Sequence, residues 1–185
     1  TFLGYGWGCT ENSSSAAMRS NFDTSVIGTV GAPQINTIVA SFDPDSLEEK
    51  GYEEEGELCI FSPNLMVGYY QDDEMTNSVL KKHGDGSVWL HTGDLGVVDN
   101  DGIVKVNGRM TRTIFVYPTA KIYPTAMENV ISQVPGVADV VVGEIEDKNH
   151  PGFGLPVCFA IPTENANLSQ VKETINVVCE KVFAD

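Results

Sequence analysis

The chain has 185 residues, 42% of them hydrophobic, and carries 26 acidic against 11 basic side chains for a formal charge of -15 at pH 7. Length and apolar content suffice for one or two packed domains, while the charge argues against a binder of nucleic-acid phosphates or of an anionic membrane surface, both of which need clustered Lys and Arg. No apolar run approaches a membrane span, and no signal peptide is expected at the start of the chain. The four cysteines lie far apart with no Cys-x-x-Cys pair, so they read as reduced cytosolic thiols and zinc is not expected.

The chain begins at Thr1 with a glycine-rich GYGWG run, which reads as a fragment of something longer. Residues 26–42 predict short β-rich runs punctuated by Gly31-Ala32-Pro33. An acidic stretch over residues 43–57 predicts a solvated loop. It lacks the alternating ligand pattern of a calcium loop. GELCIFSP, residues 56–63, predicts a partly buried strand. Residues 66–70, MVGYY, predict packing contacts. Residues 88–109 predict two strands joined by Asp99-Asn100-Asp101-Gly102, a turn whose residues tolerate the left-handed region. Thr92-Gly93-Asp94 is expected at the turn that leaves the first of these strands.

The pattern changes after residue 110. IFVY, residues 114–117, predicts a short strand. Thr125 to Glu128 has the spacing of a capping box before Met127, Val130, Ile131 and Val134, which share one helical face. Pro135-Gly136 is expected to stop that helix. Residues 138–145 and 155–162 predict two more strands. Leu168, Val171, Ile175, Val178 and Val182 form an amphipathic stripe that predicts a final core-facing helix. His83, His91 and His150 are scattered without ligand spacing, and an exposed or structural role is expected for each.

Three separated stretches bring chemistry together: Trp7-Gly8-Cys9-Thr10-Glu11, His91-Thr92-Gly93-Asp94 and Gly108-Arg109. Each alone reads as an ordinary turn, strand end or packing contact. In this order, with GELCIFSPNLMVGYY between the first two, they resemble the adenylate-forming (AMP-binding) enzyme superfamily, with its Y-G-x-T-E, G-E-[LI], T-G-D and G-R patterns. YPTAMENVI, residues 123–131, is similar to the acyl-CoA synthetase branch. The resemblance implies an α+β fold: residues 1–110 as the β-rich, barrel-like end of the large nucleotide-binding domain, and residues 111–185 as a small mobile α+β C-terminal domain, incomplete at its end.

The resemblance further implies ATP-dependent activation of a small carboxylic acid as an acyl-adenylate, then transfer to a thiol, usually that of coenzyme A. Trp7 is expected to stack on adenine, and Gly8 to let backbone approach the nucleotide. Thr10 would bond the α-phosphate, Glu11 would hold Mg²⁺, Asp94 would accept from the ribose hydroxyls, Arg109 would reach the ribose or phosphate, and Thr111 would be the hinge. The family's phosphate-binding loop and its late lysine fall outside residues 1–185, so this piece by itself is expected to be inactive. The family's glycine after the hinge is missing and Pro118 lies nearby, with its φ fixed and no N–H. That departure keeps a carrier-protein thiol open as an alternative acceptor, as in fatty-acyl-AMP ligases and peptide-synthetase adenylation domains. A silent nucleotide-binding domain is a further alternative. No nucleic-acid partner is expected, and a cytoplasmic location is.

Overall fold

The computed structural model describes residues 5–19 and 28–183. The chain divides into two compact units, Thr1–Met110 and Thr111–Asp185. Both are mixed α+β, with more strand than helix. Among the described residues no helix is long and apolar enough to cross a membrane.

In the first unit, β1 (Tyr5–Cys9), β2 (Ser14–Arg19) and β3 (Ala32–Pro33) form a small antiparallel sheet. The first two positions of the predicted 26–42 run lie outside the described residues. A five-stranded antiparallel sheet follows: β4 (Ile38–Phe42), β5 (Gly56–Phe61), β6 (Leu80–Lys82), β7 (Val88–Val98) and β8 (Val104–Arg109). One edge of β7 carries β5. Its other edge pairs with β6 over Val88 to Leu90 and with β8 over Asp94 to Val98. Register shifts at Glu57/Cys59 and at Leu95/Gly96 bend this central ladder, as bulges do. Leu58, Ile60, Leu90 and Val104 fill the core between the sheets with Ala16 and Ala17.

The 99–102 turn forms as expected, with Gly102 at φ +78° and the Asp99 carboxylate accepting from the Asp101 and Ile103 amides. The sequence reading missed α1 (Asp73–Val79), a short helix with no buried residue, capped where Asp72 Oδ1 accepts from Met75 N. Without an apolar stripe it leaves no periodic signal. The acidic stretch is mostly exposed, but its last carboxylate departs from the expectation. Glu57 lies inside β5 and is 4% exposed.

The second unit has β9 (Ile114–Val116) paired with β10 (Ala120–Ile122), then α2 (Pro124–Ile131), β11 (Val137–Glu146) paired with β12 (Gly154–Pro162), and α3 (Leu168–Phe183). Its core is Ile114, Met127, Ile131, Val140 and Val142. The capping box does not form. Tyr123 is the N-cap and Pro124 takes the first helical position, where a missing N–H costs nothing. Glu128 instead accepts from Arg112 at 2.7 Å and from the Val142 amide at 2.9 Å. The helix ends at Ile131, before Pro135-Gly136, through a Ser132 cap. On α3, Val171 is buried and Ile175 packs on the core, but Leu168 is 65% exposed; the side chain of Val182 lies outside the described residues. Of the stripe, Val171 and Ile175 thus face the core while Leu168 does not.

Candidate functional site

Trp7 lies on β1, Asp94 on β7 and Arg109 at the end of β8, in register with Asp94. Trp7 Nε1 donates to Asp94 Oδ2 at 2.7 Å, and Arg109 Nη1 to Asp94 Oδ1 at 3.0 Å. Arg109 also donates to the Thr92 carbonyl at 3.3 Å. Trp7, 87 positions before Asp94, and Arg109, 15 positions after it, thus share one carboxylate. Each carboxylate oxygen retains acceptor capacity beyond these bonds. The Arg109 side chain is 57% exposed and that of Asp94 12%, so the cation faces outward and the anion sits behind it.

Thr10 and Glu11 follow β1 in a single 3₁₀ turn, Thr10–Asn12, closed by Ser13 in the left-handed region. Thr10 is exposed. Glu11 Oε1 accepts from the Tyr69 hydroxyl at 2.6 Å. That bond holds the Glu11 carboxyl below the usual carboxylate range, and the nearby Arg109 charge adds to the effect. The same bond pushes the Tyr69 phenol up to about 12. Tyr69 therefore steadies the Glu11 carboxylate, which corrects the expectation of a packing role; Val67 and Tyr70 beside it are exposed. An open groove of about 600 Å³ runs along this edge, lined by Trp7, Gly8, Thr10 and Ser13 to Ser15 among others. Gly8 has a reason of its own in the fold. A Cβ there would lie 2.4 Å from the Ser14 carbonyl oxygen and 2.6 Å from Ser15 Cα, at the bulge where β1 meets β2.

Thr92-Gly93-Asp94 does not sit at a turn leaving a strand, as expected. It lies within the eleven residues of β7. Gly93 has φ +73°, and this kink inside the ladder is where a residue without Cβ is required. Thr92 Oγ1 donates to the Leu58 carbonyl at 2.6 Å and accepts from the Asp94 amide at 3.1 Å. Glu57 Oε1 accepts from the Gly93 amide at 2.9 Å.

Behind the kink lies a buried polar chain that the sequence reading missed. His91 Nδ1 meets Glu57 Oε2 at 2.7 Å, and His91 Nε2 meets His83 Nε2 at 3.0 Å. Burial pushes the Glu57 carboxyl up, but the bonds from His91 and from the Gly93 amide outweigh it and hold the group below its ordinary range. An ionised Glu57 only accepts, so Nδ1 of His91 carries the proton. In the neutral tautomer of His91 that this leaves, Nε2 accepts and Nε2 of His83 donates. His83 packs edge-on against Phe42 with centroids 4.6 Å apart, and its burial lowers its pKa, with His91 adding to the effect. The Cys59 thiol is close to Glu57 and His91, and burial pushes its pKa up. Glu57, Cys59 and His91 each bring one ligand atom within 4.8 Å of the others, a spacing that could hold a metal ion, although the Glu57 and His91 atoms are already engaged with each other. The contacts span 34 and 8 positions across neighbouring strands, which is why scattered histidines gave no signal.

Thr111 is exposed and is the first residue of the second unit. His150 bonds Asp147 Oδ2 at 2.7 Å and stacks on Tyr117, centroids 3.9 Å apart. All four cysteines are free thiols.

Residues 1–70 match the family model described as AMP-binding enzyme. Among curated relatives, 4-coumarate-CoA ligase 2 of Narcissus pseudonarcissus is 29% identical over 180 residues, 94% of this chain and 30% of the relative. The 4-coumarate--CoA ligase-like 4 protein of Oryza sativa subsp. japonica is 32% identical over 178 residues, 96% of this chain and 31% of the relative. Among solved structures, the amide bond synthetase McbA from Marinactinospora thermotolerans matches with TM-score 0.82 and 25% identity, over 99% of this chain and 36% of that one. The chain thus spans about a third of the length of the proteins it resembles.

Proposed function

Because this chain belongs to the adenylate-forming, AMP-binding enzyme superfamily, we propose that it supplies one wall of the ATP site of a ligase that activates a carboxylic acid as its acyl-adenylate and passes the acyl group to coenzyme A. The observation that carries this reading is the Asp94 carboxylate held between Trp7 and Arg109 beside the Thr10-Glu11 turn.

Asp94 is an anion set in place before the nucleotide arrives, and it accepts from the ribose hydroxyls. The bond from Nε1 fixes the tilt of the Trp7 ring, whose face receives adenine. Thr10 donates to the α-phosphate and Arg109 offsets its charge. Glu11 fits magnesium, since it offers an ionised carboxylate oxygen, the hard donor this cation takes; when bound, the ion neutralises phosphate charge. In the first step a carboxylate oxygen attacks the α-phosphorus of ATP. The bond to the bridging oxygen breaks and pyrophosphate leaves. In the second, the coenzyme A sulfur attacks the acyl carbon and AMP leaves with the electron pair. Residues that hold charge and orientation carry most of such catalysis. Thr111 is the hinge about which the second unit turns between the two steps. The coenzyme A ligases among the relatives support a thiol acceptor and an aryl or acyl acid, and the free thiols fit a cytoplasmic protein.

The test is ATP–pyrophosphate exchange by the full-length protein across hydroxycinnamic and fatty acids, followed by thioester formation with coenzyme A. Asp94→Ala is expected to raise the KM for ATP by at least about 10-fold, the worth of one charge-assisted hydrogen bond. An unchanged KM overturns the ribose assignment, and adenylate formation without coenzyme A turnover overturns the acceptor.

A further inference from the structure

We propose that Glu57, braced by His91 and His83, is a positioning residue for the nucleotide site: it sets the Gly93 kink that aims Asp94 at the ribose. This rests on the ribose assignment above. Glu57 touches neither Trp7 nor Arg109 among its hydrogen-bond partners. Its two oxygens take the Gly93 amide at 2.9 Å and His91 Nδ1 at 2.7 Å.

The geometry has three linked parts. Gly93 at φ +73° sits between Thr92, which is tied to the Leu58 carbonyl, and Asp94, which is tied to Trp7 and Arg109. The Gly93 amide therefore points to β5 at the place where the β5–β7 register shifts between Glu57 and Cys59. A side-chain oxygen on β5 catches this amide, and nothing else among the described hydrogen bonds does. Next, the catching oxygen is immobile. Glu57 and His91 are 4% and 5% exposed, and His91 is held at its far edge by His83 at 3.0 Å. Finally, the bond acts next to the residue it serves, since Gly93 and Asp94 are consecutive. A shift of the Gly93 peptide moves the Asp94 carboxylate directly, and such a misplacement weakens oriented contacts steeply. A carboxylate whose two oxygens are both taken, by a backbone amide and by a buried imidazole, is suited to hold geometry rather than to react.

The experiment uses the full-length protein and compares ATP with 2′-deoxy-ATP in pyrophosphate exchange. The wild type is expected to favour ATP by about 10-fold in kcat/KM through the Asp94–ribose bond. Glu57→Ala should shrink that preference to within about 2-fold, chiefly by raising the KM for ATP and leaving that for 2′-deoxy-ATP nearly unchanged. Glu57→Gln should restore most of it, because its carbonyl oxygen still accepts from Gly93 while the His91–His83 pair reverses its tautomers around the new amide donor. A merely structural role would lower activity on both nucleotides alike and keep the ratio; that result overturns the proposal. If the wild type shows no preference, the ribose assignment fails first and this proposal with it. Should Glu57→Ala not fold, His91→Leu against His91→Asn answers the same question. Asn retains a donor near the Nδ1 position, so it should hold the preference that Leu loses, and equal preference in the two overturns the proposal.

Discussion

His83 is an imidazole committed to its neutral form by its surroundings. Burial against Phe42 and the adjacent His91 lower its pKa from the ordinary 6.5. The unfolded chain therefore takes up a proton as pH falls below 6.5, while the folded chain does so only lower down. Stability must fall through that interval, since the unfolded state binds more protons there. Glu57 acts in a separate window. Its folded pKa is depressed below the ordinary 4.5, so its contribution is lost only as pH falls below that value. Melts of the protein at pH 7 and pH 5.5 should differ by up to about 5 °C per pH unit from one such proton. His83→Gln, which keeps the donor to His91, should flatten the slope between these pH values and leave the loss below pH 4.5 in place. An unaltered slope would assign the effect to another group. Residue identity alone announced neither behaviour. Asp94 and Glu11 were legible as carboxylates in a recognisable order, but Glu57 read as one more member of an acidic loop.

At the scale of elements, the β1–β2 hairpin and the kinked β7 strand determine where the site residues stand. Gly8 is a constraint on the hairpin before it is anything to a ligand. Gly8→Ala places a Cβ within 2.4 Å of the Ser14 carbonyl and forces the two strands apart. We expect a loss of about 1–3 kcal/mol in denaturant unfolding. The Trp7–Asp94 bond should weaken with it, seen as reduced ATP binding, because Trp7 precedes the displaced residue. Strands 88–98 and 104–109 were legible from alternation and from a turn with a mechanism. The kink at Gly93 was not, because a glycine flanked by polar residues looks the same in a turn as in a bent strand. Tertiary demand decided it: β7 must serve β5 along one edge and both β6 and β8 along the other. The capping box shows the converse case. Thr125 and Glu128 have the right spacing, yet Glu128 bonds Arg112 and the Val142 amide on other elements rather than the start of its own helix.

At the scale of the whole molecule, each unit carries its own core, around Leu58, Ile60 and Leu90 in the first and around Ile131, Met127 and Ile114 in the second. Both tryptophans of the chain, Trp7 and Trp89, belong to the first unit, so their fluorescence reports that unit directly. Ile131→Ala, at a position with 0% exposure, should cost the second unit about 2–5 kcal/mol. That loss should be visible by far-ultraviolet circular dichroism. Leu58→Ala, also at 0% exposure, should cost a similar amount, about 2–5 kcal/mol, and shift the tryptophan signal itself. The sequence by itself determined the family, the α+β class and the order of the motifs that carry the resemblance, because those depend on local residue order and on apolar periodicity. Only the tertiary structure decided that Tyr69 steadies Glu11, that Trp7 and Arg109 share the Asp94 carboxylate, and that Glu57, His91 and His83 form a buried chain behind it. Those contacts join residues on different strands, and the pairing of strands places them side by side however far apart they lie in the sequence.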